Sequence, residues 1–112
     1  TFMQIQNADG KYVSPDDLTF AAAAASADWF SVPGMGVSMV NAKGATSWPV
    51  STASFILMYK NPADKAASAE ALKFFDYAFK SGKKMAADLD YVALPDSLTD
   101  QIRSKVWSQI QK

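Results

Sequence analysis

Neither cysteine nor histidine occurs in this chain of 112 residues. Without cysteine, disulfides, Cys-x-x-Cys redox chemistry and thiolate metal sites are excluded. Without histidine, the commonest general base and the commonest neutral metal ligand are gone. Glutamate and arginine occur once each, as Glu70 and Arg103. Most enzyme classes would have to work here with Asp, Lys, Tyr and Ser alone, which points to a binding or structural role. An excess of charge of either sign is missing as well, because eleven basic and eleven acidic side chains cancel. Neither nucleic acid nor an anionic membrane would be steered to such a chain. Purely apolar stretches such as Ala21 to Ala25 and Phe55 to Tyr59 are far short of a membrane span. A start Met, a basic leader and an apolar leader are all lacking before Thr1, which points to processing or truncation.

What is present belongs to a folded protein: 49% of the residues are hydrophobic and only 20% are charged. The length suits one domain or a piece of a larger one, and such a chain buries roughly 60–70% of its unfolded surface. Asp9-Gly10, between Phe2-Met3-Gln4-Ile5 and Tyr12-Val13, predicts a hairpin turning at residues 7–11. Ser14-Pro15-Asp16-Asp17 reads as a helix start, with Ser14 as N-cap, Pro15 at the first position and acids in the first turn. The helix runs on through Leu18 to Ala27, and its alanine run suits a thin, partly exposed element.

Pro33-Gly34-Met35-Gly36 interrupts regular structure. Val37 to Asn41 alternates weakly, as a short strand does, and residues 42–45 make a turn. Trp48-Pro49 is extended, since the residue before a proline is pushed into the β region. Phe55 to Tyr59 reads as a buried strand covered on both faces. Ala66 to Ser81 carries the strongest helical signal, with Leu72, Phe75 and Phe79 on one face. Asp76 and Lys80 form an i,i+4 pair, and Gly82 stands where a C′ glycine belongs. A short helix over Lys84 to Leu89 follows. A last one opens at Pro95-Asp96-Ser97, with Leu98, Ile102, Val106 and Ile110 on one stripe. The fold class is α/β. A lone central strand such as Phe55 to Tyr59 needs neighbours that this chain does not supply, so the fold is expected to be incomplete and the truncation reading is favoured.

No catalytic constellation assembles. Asp88 and Asp90 stand at i,i+2, which a helix does not bring onto one face, and Asp16-Asp17 is explained by the helix dipole. Asp9, Asp28 and Asp64 stand singly, without a calcium-loop spacing, so no metal site is expected. Gly34-Met35-Gly36 follows no apolar strand and opens no helix, and so fails as a dinucleotide loop. Gly44-Ala45-Thr46-Ser47 sets hydroxyls beside glycine, as anion sites do, but a plain turn accounts for it. Lys80, Lys83 and Lys84 suit a helix C-terminus. Trp29, Trp48, Trp107, Tyr77 and Tyr91 are spaced for core packing rather than for a ligand box.

Three segments together nevertheless have a known look. Ser47-Trp48-Pro49-Val50-Ser51-Thr52-Ala53-Ser54-Phe55-Ile56-Leu57 is one, and Ala71-Leu72-Lys73-Phe74-Phe75-Asp76-Tyr77-Ala78-Phe79-Lys80-Ser81-Gly82 is the second. The third is Ala87-Asp88-Leu89-Asp90-Tyr91-Val92-Ala93-Leu94-Pro95, before a helix with Ile102, Arg103 and Trp107. In this order they resemble the C-terminal third of bacterial periplasmic phosphate-binding proteins, the substrate-binding subunits of the phosphate ABC transporter. Tyr77 departs from the Trp usual in that family. Residues 7–15 and the alanine run before Asp28-Trp29 fall in the family's order too, so the resemblance covers essentially the whole chain.

The resemblance implies part of a two-lobed periplasmic-binding-protein fold of the type 2 kind, a mixed sheet flanked by helices and incomplete here. Residues 1–46 would end the second lobe. Residues 47–112 would recross the hinge at Trp48 and Pro49 and complete the first lobe. It also implies a periplasmic, non-enzymatic protein without cofactor, which binds inorganic phosphate and delivers it to the membrane permease of an ABC importer. The family's phosphate ligands lie in a Gly-Ala-x-Ala-Thr-Phe-Pro-like loop, a Gly-Ser-Gly region, an Asp-Phe-Gly-x-Ser-Asp-like segment and an Arg-x-Asp-x-Ser-Gly-Thr motif. None of these occurs here, and Gly44-Ala45-Thr46 lacks the Phe-Pro that follows in the first. Catalytic, phosphate-binding and metal residues are therefore all assigned as none, and the chain's part is scaffold and hinge. A structural or protein-interaction module reusing this lobe half, with no small-molecule ligand, is the alternative. An incomplete lobe is further expected to self-associate or to meet a companion fragment.

Overall fold

The computed structural model describes residues 1–111. The chain divides into two compact units, Thr1–Ser54 and the residues from Phe55 onward. In the first unit, β1 (Ile5–Gln6) and β2 (Tyr12–Val13) pair antiparallel, Ile5 opposite Val13 and Gln6 opposite Tyr12. Gly10 closes their turn at φ +74°, a left-handed angle that glycine adopts without a steric penalty. The hairpin is the one predicted.

Helix α1 (Asp17–Ser26) starts later than expected. Its N-cap is Asp16 and not Ser14: an Asp16 carboxylate oxygen accepts from the Thr19 amide at 2.9 Å, and the Asp16 amide donates to Thr19 Oγ at 3.2 Å. This reciprocal pair satisfies two backbone donors at once, more than a lone serine at position 14 would do. Ala23 and Ala24 face the interior, and Ala25 is exposed. A single 3₁₀ turn, Pro33–Met35, follows. The strand expected over Val37 to Asn41 does not form. Residues 36–39 are irregular and 40–41 turn, with Asn41 at φ +53°. This stretch adds no strand to the β1–β2 pair, the one sheet among the described residues, and its turn at Asn41 is held instead by the bond from the Asn41 amide to the Pro49 carbonyl. The first unit's core gathers Val13, Ala23, Ala24, Trp29, Met39 and Trp48.

The second unit is helical. Phe55 to Tyr59, expected as a buried strand, joins no sheet and lies open, with Leu57 94% and Tyr59 84% exposed. The mixed sheet that would cover it does not occur among the described residues, whose one sheet is the hairpin. Helix α2 (Lys65–Ser81) matches its prediction, and Asp64 caps it by accepting from the Ala67 amide at 2.9 Å. Leu72 is its buried apolar anchor. Gly82 joins α2 to α3 (Lys83–Asp88) at φ −85°, not in the left-handed region that a C′ glycine usually adopts. Glycine is needed there for room, since a Cβ would sit 2.5 Å from the Ala78 carbonyl oxygen.

The last predicted helix is broken in three. Helix α4 (Asp96–Gln101) leads into a π turn (Ile102–Val106) and a 3₁₀ turn (Trp107–Gln109). Leu98 and Ile110 from its stripe are buried, but Ile110 lies beyond the last turn on extended backbone. Overall the chain is a small α/β protein with a two-stranded sheet.

Candidate functional site

The predicted hinge residues, Trp48 and Pro49, lie in a densely hydrogen-bonded stretch of the first unit. Asn7, at the start of the hairpin turn, is buried and uses both ends of its amide. Its Oδ1 accepts from the Asp9 and Lys11 backbone amides at 3.1 and 3.0 Å. Its Nδ2 donates across the unit to the carbonyls of Gly44, Ala45 and Ser47 at 3.1, 3.0 and 3.3 Å. Gly44 turns at φ +118°, where a side chain would be strained and its Cβ would meet Ser47 Oγ at 2.8 Å. Ser47 is almost wholly buried, its hydroxyl donating to the Lys43 carbonyl at 2.7 Å.

Trp48 continues the anchoring. Its backbone amide donates to the Thr19 carbonyl at 3.0 Å, and its ring meets Phe20 edge-on at 5.9 Å. The Pro49 carbonyl accepts from the Asn41 amide at 2.8 Å. Trp48 and Pro49 are both buried, and Val50 is exposed. Carbonyl oxygens thus line the inside of the 44–47 loop, an arrangement that repels an anion. Residues 44–47 form the turn that the sequence suggested, closed by the bond from the Ser47 amide to the Gly44 carbonyl at 3.0 Å. Asn7 was missed: its neighbours mark it as a turn residue, and nothing local signals partners 37 to 40 positions away.

The remaining candidates are scattered. In the second unit Asp76 accepts from Lys80 at 2.5 Å, the predicted pair, and also from Arg103 Nε at 2.7 Å. These bonds, that of Lys80 first and then that of Arg103, hold the Asp76 carboxyl below its ordinary range. The hydrogen bond to Asp76 in turn raises the Arg103 guanidinium above its own. Arg103 also reaches Asp100 at 2.8 Å and lies over the Phe79 ring, which stacks on Trp107 at 5.6 Å. Lys83 pairs with Asp96, and Lys84 pairs with Asp88, so each lysine of the predicted cluster has an acidic partner. Asp90 stands apart and exposed at φ +60°. Gly34-Met35-Gly36 opens no α-helix. Tyr77 and Tyr91 are exposed, whereas Trp29 is buried with its indole N–H on the Ala24 carbonyl at 2.7 Å. Among the described residues no group of three or more acidic side chains is placed to hold a metal ion.

An open apolar groove of about 490 Å³ runs between Ile56 to Tyr59, Pro62 and the α2 side chains Ser68, Ala71 and Phe75. Ser68 Oγ is buried there without a hydrogen-bond partner among the described residues. A buried hydroxyl left so costs about 1–3 kcal/mol, and native structures rarely leave one unsatisfied.

Comparison with known proteins gives the chain its setting. The chain is 43% identical over 107 residues, 96% of its length, to the phosphate-binding protein PstS of Pasteurella multocida (strain Pm70). This chain is similar to phosphate-binding proteins. The PstS of Haemophilus influenzae is 37% identical over 111 residues, 99% of the chain, and that of Xylella fastidiosa (strain 9a5c) 39% over 104 residues, 93% of it. The match extends over only 31%, 33% and 29% of those three proteins, so the chain spans about a third of the length of the curated relatives it matches. No family model matches the chain. The resemblance read from the three sequence segments and the relatives found by comparison thus agree on phosphate-binding protein. No helix among the described residues is long and apolar enough to cross a membrane.

Proposed function

We propose that the chain is the C-terminal portion of a phosphate-binding protein that delivers phosphate to the membrane permease of a bacterial ABC importer in the periplasm. The single observation that carries this is similarity over 93–99% of the chain to about a third of PstS from several bacteria. In the parent protein two α/β lobes close over one phosphate ion. Residues 1–46 end the second lobe, the chain recrosses at Trp48 and Pro49, and residues 47–112 complete the first. The role is scaffold and crossing, with no catalysis. Phosphate is held by hydroxyl and backbone N–H donors on residues outside this sequence, the geometry by which proteins usually cradle that anion.

Calorimetric titration tests the reading directly. The chain alone is expected to show no binding of inorganic phosphate, and the same chain joined to its upstream residues to bind one phosphate tightly. Tight one-to-one binding by residues 1–112 alone overturns the assignment of the ligand loops. Absence of binding by the longer protein overturns the phosphate reading itself. One observation favours the second reading, an interaction module without small-molecule ligand: the open apolar run at Phe55 to Tyr59 beside the groove that holds Ser68. On the leading reading, residues of the parent protein cover that run.

A further inference from the structure

We propose that Asn7 is the positioning residue of the lobe crossing: it fixes Ser47 to Pro49 on the first unit and so confines the pivot to Val50–Ser54. The crossing itself is taken from the phosphate-binding reading; the anchoring rests on geometry alone. One amide group, with two N–H hydrogens, faces three carbonyl oxygens within 3.3 Å, and its oxygen holds the hairpin turn at the same time. No other short side chain does both. Aspartate keeps the acceptor and turns a second anionic oxygen on three carbonyls. Alanine takes the amide donor from the Ser47 carbonyl, whose residue is only 1% exposed, while the Gly44 carbonyl keeps the Ser47 amide and Ala45 lies open to water.

The bonds that follow Asn7 end abruptly. Trp48 is tied to Thr19 and Pro49 to Asn41. The proline ring fixes φ at its own position and keeps Trp48 extended, which stiffens the anchored end further. Beyond it, among the described residues, none of residues 50–54 makes a backbone-to-backbone hydrogen bond, and the one side-chain tie there is from Ser51 Oγ back to the Trp48 carbonyl. The boundary between the two units falls after Ser54. Rotation about the backbone is therefore opposed by fewer bonds in that short stretch than on its N-terminal side.

Amide hydrogen exchange of the 112-residue chain, followed by NMR, reads this residue by residue. In the wild type the amides of Asn41, Ser47 and Trp48 are expected to be protected, and those of residues 50–54 to exchange freely. In Asn7→Ala and Asn7→Asp the first three should exchange about tenfold faster or more. The amides of α2 should not change, and serve as the internal control. Wild-type exchange at Ser47 and Trp48 in Asn7→Asp overturns the proposal. If both variants unfold the whole first unit, Gly44→Ala decides, because it disturbs the same loop from its far side. Acceleration confined to residues 41, 47 and 48 in that variant supports the anchoring, and unchanged or unit-wide exchange overturns it. Phosphate plays no part in this readout, so its result stands apart from that of the titration.

Discussion

Asp76 receives hydrogen bonds from Lys80, one turn along the same helix, and from Arg103 on the π turn, and both favour its ionised form. Its folded pKa lies below the unfolded one, so between the two values the folded chain holds fewer protons. The stabilisation is complete above the ordinary carboxylate pKa and is lost as pH falls through the lowered one. Urea unfolding measured across the acid range should therefore show the second unit weakening toward low pH, and Asp76→Asn should flatten that limb while lowering the neutral-pH midpoint. An unchanged acid limb in the variant would remove Asp76 as its source. At this scale the sequence was only half legible. The Asp76–Lys80 pair is written in the i,i+4 spacing, whereas the Arg103 and Asn7 contacts join residues 27 and 37 to 40 positions apart. No local rule reaches that far.

Elements with their own signals were legible. Helix α2 carries an apolar face and a terminal glycine, and it forms between Lys65 and Ser81, one residue longer than the Ala66 to Ser81 read from them. Because Asp64 supplies its N-cap bond, Asp64→Ala is expected to cost about 1 kcal/mol of folding stability in the second unit, checked by denaturant midpoint and helical circular dichroism. Helix α1 was read two residues early because Ser14-Pro15 is itself a good start signal; the reciprocal Asp16–Thr19 pair competes with it and wins. Phe55 to Tyr59 has the composition of a strand, and composition is all that sequence offers. A strand exists only with a neighbour to bond to, and the one sheet among the described residues, the β1–β2 hairpin, does not take this run in. Val37 to Asn41 failed for the same reason.

For the whole molecule, the reading of an α/β chain that is part of something longer fits both the two-stranded sheet and a span of about a third of its relatives. The exposed run from Phe55 to Tyr59 gives a measurable consequence. Apolar edges of this kind associate when nothing covers them. Sedimentation velocity is expected to show the isolated chain forming dimers or larger species with rising concentration. Leu57→Lys, at the most exposed apolar position, should shift it toward monomer. A compact wild-type monomer throughout the range would count against an uncovered strand. The motifs that the resemblance implies for phosphate do not occur in residues 1–112.

The π turn at Ile102–Val106 can also be described in terms of insertion and deletion. A π turn is an α-helix carrying one extra residue, and each residue of an α-helix turns the chain by about 100°. Trp107, which lies just past it, meets Phe79 in a stack with only 6° between the ring planes. Deleting Ser104 would take out that extra residue and leave even α-helical winding, which carries Trp107 to the same side of the helix as before. The π turn thus marks where the C-terminal segment can lose one residue and keep the Phe79–Trp107 stack, whereas a one-residue gap within α2 would turn everything beyond it by about 100°.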